Sequence, residues 1–234
     1  MDSETAEVDP RAKESPFWRK HEGLSKQEKL ALDGLVDMEL LVEQRSSESI
    51  PEFKFDYLAT DMYEAVTRPF GYPSRNYRQD NWEVTGGNIE YPDYPQIPGL
   101  MKDLGKELKE ALQEVAADPQ DIAKVIRAAR LAHDMIYIHP FRDFNGRISR
   151  GLTHYVLGRF GYLLPDWQFQ GRGAYLDAVA AGYQDRHQFE IFLAKSLGSS
   201  YDKVAASFED IDDKGLSQRA LQIKKTANDL RNFV

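Results

Sequence analysis

Apolar residues recur at helical spacing along most of this chain, and one twelve-residue stretch, His139 to Arg150, interrupts that rhythm between two such runs. Ahead of it, Ile122, Val125, Ile126, Ala129, Ala132 and Ile136 form one stripe. Behind it, Ile148, Leu152, Tyr155 and Val156 form another. A chain built this way must pack helices, and the interruption is where chemistry collects. Asn145 reads as the N-cap of the second run, so unpaired first-turn N–H groups face whatever lies in front of it. Such a helix start attracts anions, phosphate above all. Arg147 and Arg150 are three residues apart and emerge on one face, with His154 a turn further on, away from the buried stripe. Their guanidinium forks suit phosphate oxygens. Asp143 offers a hard oxygen to Mg²⁺, which usually arrives with phosphates. His139 is a base for a proton near neutral pH, and Phe141 reads as a core anchor for the loop.

Taken in order, residues 1–16 read as a disordered acidic lead-in and 17–54 as an N-terminal helical extension. Ser25 and Glu28 form a capping box for a helix to about Arg45, carrying Leu30, Leu35, Met38, Leu41 and Val42. A second helix runs from Asp56 to Thr67 and is ended by Pro69, Gly71 and Pro73. Trp82-Glu83-Val84 and Ile89-Glu90-Tyr91 alternate around Gly86-Gly87, which predicts a β-hairpin. Helices follow from Pro98 to Ala116, and from Asp118-Pro119, with aspartate as cap, up to the motif. Beyond it, Arg172–Tyr183 and His187–Leu197 read as helices. Residues 198–234 form a C-terminal extension with two more, Tyr201–Ile211 and Leu216–Phe233. His133 and Asp134 lack the spacing of a helical metal pair and are assigned to the core. Asp210-x-Asp212 and Gly215 imitate a calcium loop, but Lys214 and Leu221 occupy ligand positions, so that reading is rejected.

The motif resembles the signature of the Fic (Fido) family, His-Pro-Phe-x-Asp/Glu-Gly-Asn-Gly-Arg-x-x-Arg. His139, Pro140, Phe141, Asp143, Asn145, Gly146, Arg147 and Arg150 match, while Phe144 replaces the first glycine. The resemblance implies an all-α Fic-type helical bundle with a small hairpin flap before the motif helix, the catalytic core spanning 55–197. It implies transfer of AMP from ATP to a hydroxyl of a target protein, with His139 as general base and Asp143 holding Mg²⁺. Asn145, Gly146, Arg147 and Arg150 would bind the nucleotide. Val84, Thr85, Gly86, Gly87, Asn88 and Ile89 would form the flap that docks the target as an added strand. Relatives with alanine at the Phe144 position carry out other transfers, so phosphorylation or phosphocholination is the alternative, and a catalytically weak interaction module the third. Arg172 and Tyr175 resemble the family's post-motif helix, although packing explains Tyr175 equally well. No Ser/Thr-x-x-x-Glu-Gly/Asn string of the family's self-blocking helix occurs, which points to constitutive activity or a separate inhibitor (antitoxin) protein.

Composition narrows the classes further. A net charge of −8 argues against general nucleic-acid binding and makes the motif arginines a local positive site. Absence of cysteine excludes disulfides, thiolate metal sites and cysteine nucleophiles, and fits a cytoplasmic protein. No apolar run is long enough to cross a bilayer, so no membrane partner is expected.

Overall fold

The computed structural model describes residues 25–81, 89–207 and 218–233. Among these the regular structure is helical, with short 3₁₀ turns in the connections. Helix α1 (Lys26–Ser46) starts on the expected capping box: Ser25 accepts from the Glu28 amide, and the Glu28 carboxylate accepts from the Ser25 amide. It is followed by α2 (Phe55–Thr67), α3 (Ile97–Ala117) and α4 (Ile122–His133). A single turn, α5 (Met135–Ile138), leads into the motif loop and α6 (Asn145–Arg159). Then come α7 (Gly171–Gln184), α8 (Arg186–Ala206) and α9 (Gln218–Phe233).

The motif helix α6 is the centre of the bundle. It packs against α1, α2, α4 and α5, and Ile148, Leu152, Tyr155, Val156 and Leu157 are buried on it. Small residues let neighbours approach. A Cβ on Gly151 would lie 3.0 Å from the Met38 methyl of α1, and one on Gly34 would lie 2.8 Å from the Val66 carbonyl of α2. Any larger residue at Gly34 would force the α1–α2 crossing apart, because that neighbour is backbone and cannot rotate away. No helix among the described residues is long and apolar enough to cross a membrane.

Three expectations are corrected. The cap of α4 is Asp121, whose carboxylate accepts from the Ala123 and Lys124 amides, while the Asp118 amide still bonds Val115 and ends α3. Asp121 sits immediately before the apolar stripe, where a cap can reach the second and third amides. The anticipated break between Leu197 and Tyr201 does not occur: α8 runs unbroken through Gly198 to Ala206. Gly198 is buried beneath Leu230 of α9, and that packing outweighs the helix penalty of glycine. Asn145 is the first residue of α6 rather than its cap, a position taken by Phe144. The hairpin falls mostly outside the described residues, since Val84, Thr85, Gly86, Gly87 and Asn88 are among those left out. Ile89 to Tyr91 are described and have no strand assignment. The Asp210-x-Asp212 stretch also lies outside.

Candidate active site

The motif residues ahead of α6, His139 to Phe144, form a loop that three side chains pin. Phe141 is fully buried, its ring stacked on Tyr63 at 4.2 Å and 16°. Asn145, only 2 % exposed, closes the loop on both sides of Phe141: its Oδ1 accepts from the Phe141 amide (3.0 Å) and its Nδ2 donates to the Phe141 carbonyl (2.8 Å). That pairing needs one donor and one acceptor, which asparagine supplies and aspartate does not. Arg78 is the third pin. Its amide donates to the Pro140 carbonyl (2.8 Å) and its Nε to the His139 carbonyl (2.9 Å).

Pinning matters because the loop is strained. His139 and Phe144 have φ of +50° and +63°, a region that side-chain-bearing residues avoid. Each such residue costs about 1–3 kcal/mol and persists only where its surroundings over-determine it. The family's glycine would adopt the Phe144 backbone without penalty. Here Phe144 is held by its ring, 5.7 Å from Phe70, with the Arg147 guanidinium 4.9 Å above it. The ring is therefore a shelf for Arg147.

The loop and the start of α6 open onto a cavity of about 990 Å³. His139, Asp143, Phe144, Asn145, Gly146, Arg147 and Arg150 all border it. Arg147 and Ile148 bond back to the Phe144 carbonyl, and the Asn145 and Gly146 amides have no acceptor among the described residues. A Cβ on Gly146 would stand 3.7 Å from the Arg150 guanidinium, so glycine keeps that corner clear. Arg172 of α7 faces the same space and joins Arg142, Arg147 and Arg150, making four arginines in one cavity on an acidic protein. The donor set suits a nucleotide-borne polyphosphate: free amides, guanidinium forks and a cleared glycine corner.

His139 sits at the other side. Its Nδ1 is buried beside the Ile136 carbonyl, short of full hydrogen-bond geometry, which leaves Nε2 for a substrate. Burial pushes its pKa down to about 4, with the Ile136 carbonyl and the Asp143 charge opposing. The ring is thus neutral at physiological pH. Tyr91 lies 4.4 Å from it, centroid to centroid, and Ile89 borders the cavity nearby. Asp143 is exposed, one carboxylate oxygen accepting from the Phe144 amide at 2.6 Å. No cluster of three or more metal-ligating side chains occurs among the described residues. A cation here would take Asp143 as its protein ligand and the rest from phosphate and water, the usual manner for Mg²⁺.

The far wall joins Tyr175 of α7 to Trp167, which the sequence did not single out. Tyr175 lies under the Arg150 guanidinium, 5.2 Å from its ring centroid, and its hydroxyl meets His133 Nε2 at 3.0 Å. His133 is buried, and burial holds it neutral, as a core histidine should be. Asp134 pairs with Arg130 (2.5 Å) and Arg186 (3.5 Å) rather than with a metal. Trp167, in the segment between α6 and α7, lines the cavity beside Tyr175. A tryptophan two residues after a proline in a short interhelical segment was the available signal. Arg150 pairs with no carboxylate among the described residues. The glutamate that α1 sends toward α6, Glu39, meets His154 instead.

With this geometry in hand, comparison with known proteins is direct. Residues 56–157 match the family model described as Fic/DOC family. A solved Fic domain containing signaling protein from Bacteroides thetaiotaomicron superposes with a TM-score of 0.59 over 75% of this chain and 71% of that one, at 20% identity. The Fic/DOC match thus reaches from α2 into the motif helix and takes in the whole loop from His139 to Phe144. A protein adenylyltransferase Fic from Nematostella vectensis is 31% identical over 113 residues, 47% of this chain and 26% of the relative. A ribonucleoside-diphosphate reductase small chain from Ostreid herpesvirus 1 is 30% identical over 83 residues, 32% of this chain and 14% of that protein. The chain thus spans about a quarter or less of the curated relatives it matches.

Proposed function

We propose that this protein is a Fic-type transferase that moves AMP from Mg-ATP onto a hydroxyl of a target protein. One observation carries the reading: a single cavity brings a buried neutral histidine within one loop of two unpaired amides, Arg147 and Arg150. The relative named a protein adenylyltransferase supports AMP as the transferred group.

In the reaction, the target oxygen bonds to the α-phosphorus while the bond from that phosphorus to the bridging oxygen breaks. AMP stays on the target, pyrophosphate leaves, and the hydroxyl proton passes to His139 Nε2. Burial makes His139 a weak base, and a phosphate charge beside it favours the protonated ring that must form. The Asn145 and Gly146 amides and Arg147 orient the phosphates, and Arg150 holds the outer ones. Because these donors are fixed before substrate arrives, they need no reorganisation as charge develops. Asp143 would hold Mg²⁺, which supplies charge neutralisation on the phosphates. The target enters past Ile89 and Tyr91, beside the segment expected to form the flap.

Mass spectrometry of lysate proteins after incubation with Mg-ATP and this protein tests the proposal. A mass gain of one AMP per modified site is expected. A gain of phosphate alone would redirect the reading to phosphoryl transfer, and no gain would reduce the chain to an interaction module.

A further inference from the structure

Glu39 of α1 and Trp167 of the α6–α7 connection are joined through one imidazole. His154 lies one turn beyond Arg150 on α6. Its Nδ1 is 2.9 and 3.1 Å from the two Glu39 carboxylate oxygens, and Trp167 Nε1 donates to its Nε2 over 2.7 Å. A carboxylate only accepts and an indole N–H only donates. Both bonds therefore require the neutral ring with its proton on Nδ1, so the two partners dictate the tautomer.

Trp167 passes this constraint to the cavity. Its ring meets Tyr175 nearly edge-on at 5.7 Å and 81°, and Tyr175 is the ring beneath the Arg150 guanidinium. The backbone next to Trp167 is anchored elsewhere. The Asp166 amide donates to the Ser196 carbonyl (3.0 Å), and Ser196 Oγ donates back to the Asp166 carbonyl (2.7 Å). Asp166 Oδ2 also accepts from Lys203 Nζ at 2.6 Å. With the main chain tied to α8, the indole is packed between His133 and Tyr175, and the His154 bond is the hydrogen bond that fixes its direction. Glu39 contributes little to the core, which α1 enters through Met38 and Val42.

We infer that Glu39 and His154 are positioning residues for the outer-phosphate end of the cavity, acting through Trp167 and Tyr175 on Arg150. The inference rests on the nucleotide reading above and deepens it. It gives α1, which precedes the matched family segment, a part in binding the polyphosphate tail.

The test compares two probes, inorganic tripolyphosphate and AMP, by calorimetric titration of the full chain. Glu39→Ala and His154→Phe should each weaken tripolyphosphate binding about tenfold, the scale of one lost charge-assisted hydrogen bond. AMP binding should stay within about twofold, because it does not reach Arg150. Glu39→Gln keeps an acceptor for Nδ1–H and should restore wild-type affinity. In the ligand-free protein, the Trp167 indole N–H resonance should move in both disrupting variants and not in Glu39→Gln. A merely structural role would lower the melting temperature and weaken both probes in parallel, which overturns the inference. Unchanged tripolyphosphate binding in the folded variants, or none in the wild type, overturns it as well. The nucleotidyl-transfer reading stands or falls separately, on the mass change with Mg-ATP.

Discussion

Arg78 holds His139 by its main chain: the guanidinium Nε donates to the His139 carbonyl at 2.9 Å. The same fork donates to the carbonyls of Asp80 (2.7 Å) and Pro92 (2.5 Å), and the residue is 4 % exposed. One side chain thus ties both ends of the segment leading to and from the expected flap to the residue proposed as base.

Arg78→Ala should therefore damage function and fold together. It strands three carbonyls, and a buried unpaired polar group costs about 1–3 kcal/mol. Denaturant unfolding should show a loss of that order, with a larger proportional loss of transfer. Arg78→Lys should rescue little, because an ammonium cannot span the fork. A fully active lysine variant would remove the strap from the mechanism.

His139→Ala should abolish transfer while leaving ATP binding nearly intact, since the cradle is made by α6. Loss of a positioned general base costs on the order of 10²–10⁴ in rate. In the wild type, kcat/KM should be flat from neutral pH downward and fall only as pH drops toward about 4, where the buried ring takes up a proton. An acid limb centred near the ordinary histidine value would contradict the burial.

Stability should follow pH through the same burial. His139 is depressed to about 4 and His133 is held well below its usual value. Between those values and about 6.5 the unfolded chain binds more protons, so stability falls as pH falls through that window. Asp134 works the other way. Burial raises it to about 6, so its share is present at low pH and lost as pH rises through 6. Thermal melts at several pH values should show the histidine slope flattened in His133→Phe, and a steeper net acid loss in Asp134→Asn.

Arg150→Ala should weaken binding of Mg-ATP, and Asp143→Ala should instead suppress Mg²⁺-dependent turnover. The arginine faces the phosphate end, and Asp143 is the motif carboxylate bordering the cavity. Calorimetry with and without Mg²⁺ separates the two effects. Equal ATP affinity in wild type and Arg150→Ala would refute the clamp.

Phe144→Gly tests the family departure. Glycine relieves the positive φ, worth about 1 kcal/mol. It also removes the Phe70 contact and the shelf under Arg147, a cation–π pair worth about 0.5–1 kcal/mol. These nearly cancel, so the melting temperature should move by a few degrees at most, which is under about 1 kcal/mol for a chain of this size. ATP affinity should fall modestly as Arg147 loses its support. A large gain in transfer would show that the ring obstructs the cradle.

The sequence by itself determined the helical bundle and the identity of the motif. Apolar spacing at Ile122–Ile136 and Ile148–Val156 leaves few ways to hide those faces, and the order of His139, Asp143, Arg147 and Arg150 is local information. Tertiary structure decided the rest, because it depends on atoms far apart in the chain. The neutrality of His139 comes from burial, which no spacing reports. Arg78 reaches His139 across 61 positions and Glu39 reaches His154 across 115. Phe144 occupies a glycine conformation only because Phe70 and Arg147 hold its ring. Asn145, which looks like a cap from its neighbours, closes the Phe141 loop because the buried peptide there needs both a donor and an acceptor. Helix α8 runs through Gly198 because α9 covers it, so even a helix boundary was settled by packing rather than by local propensity.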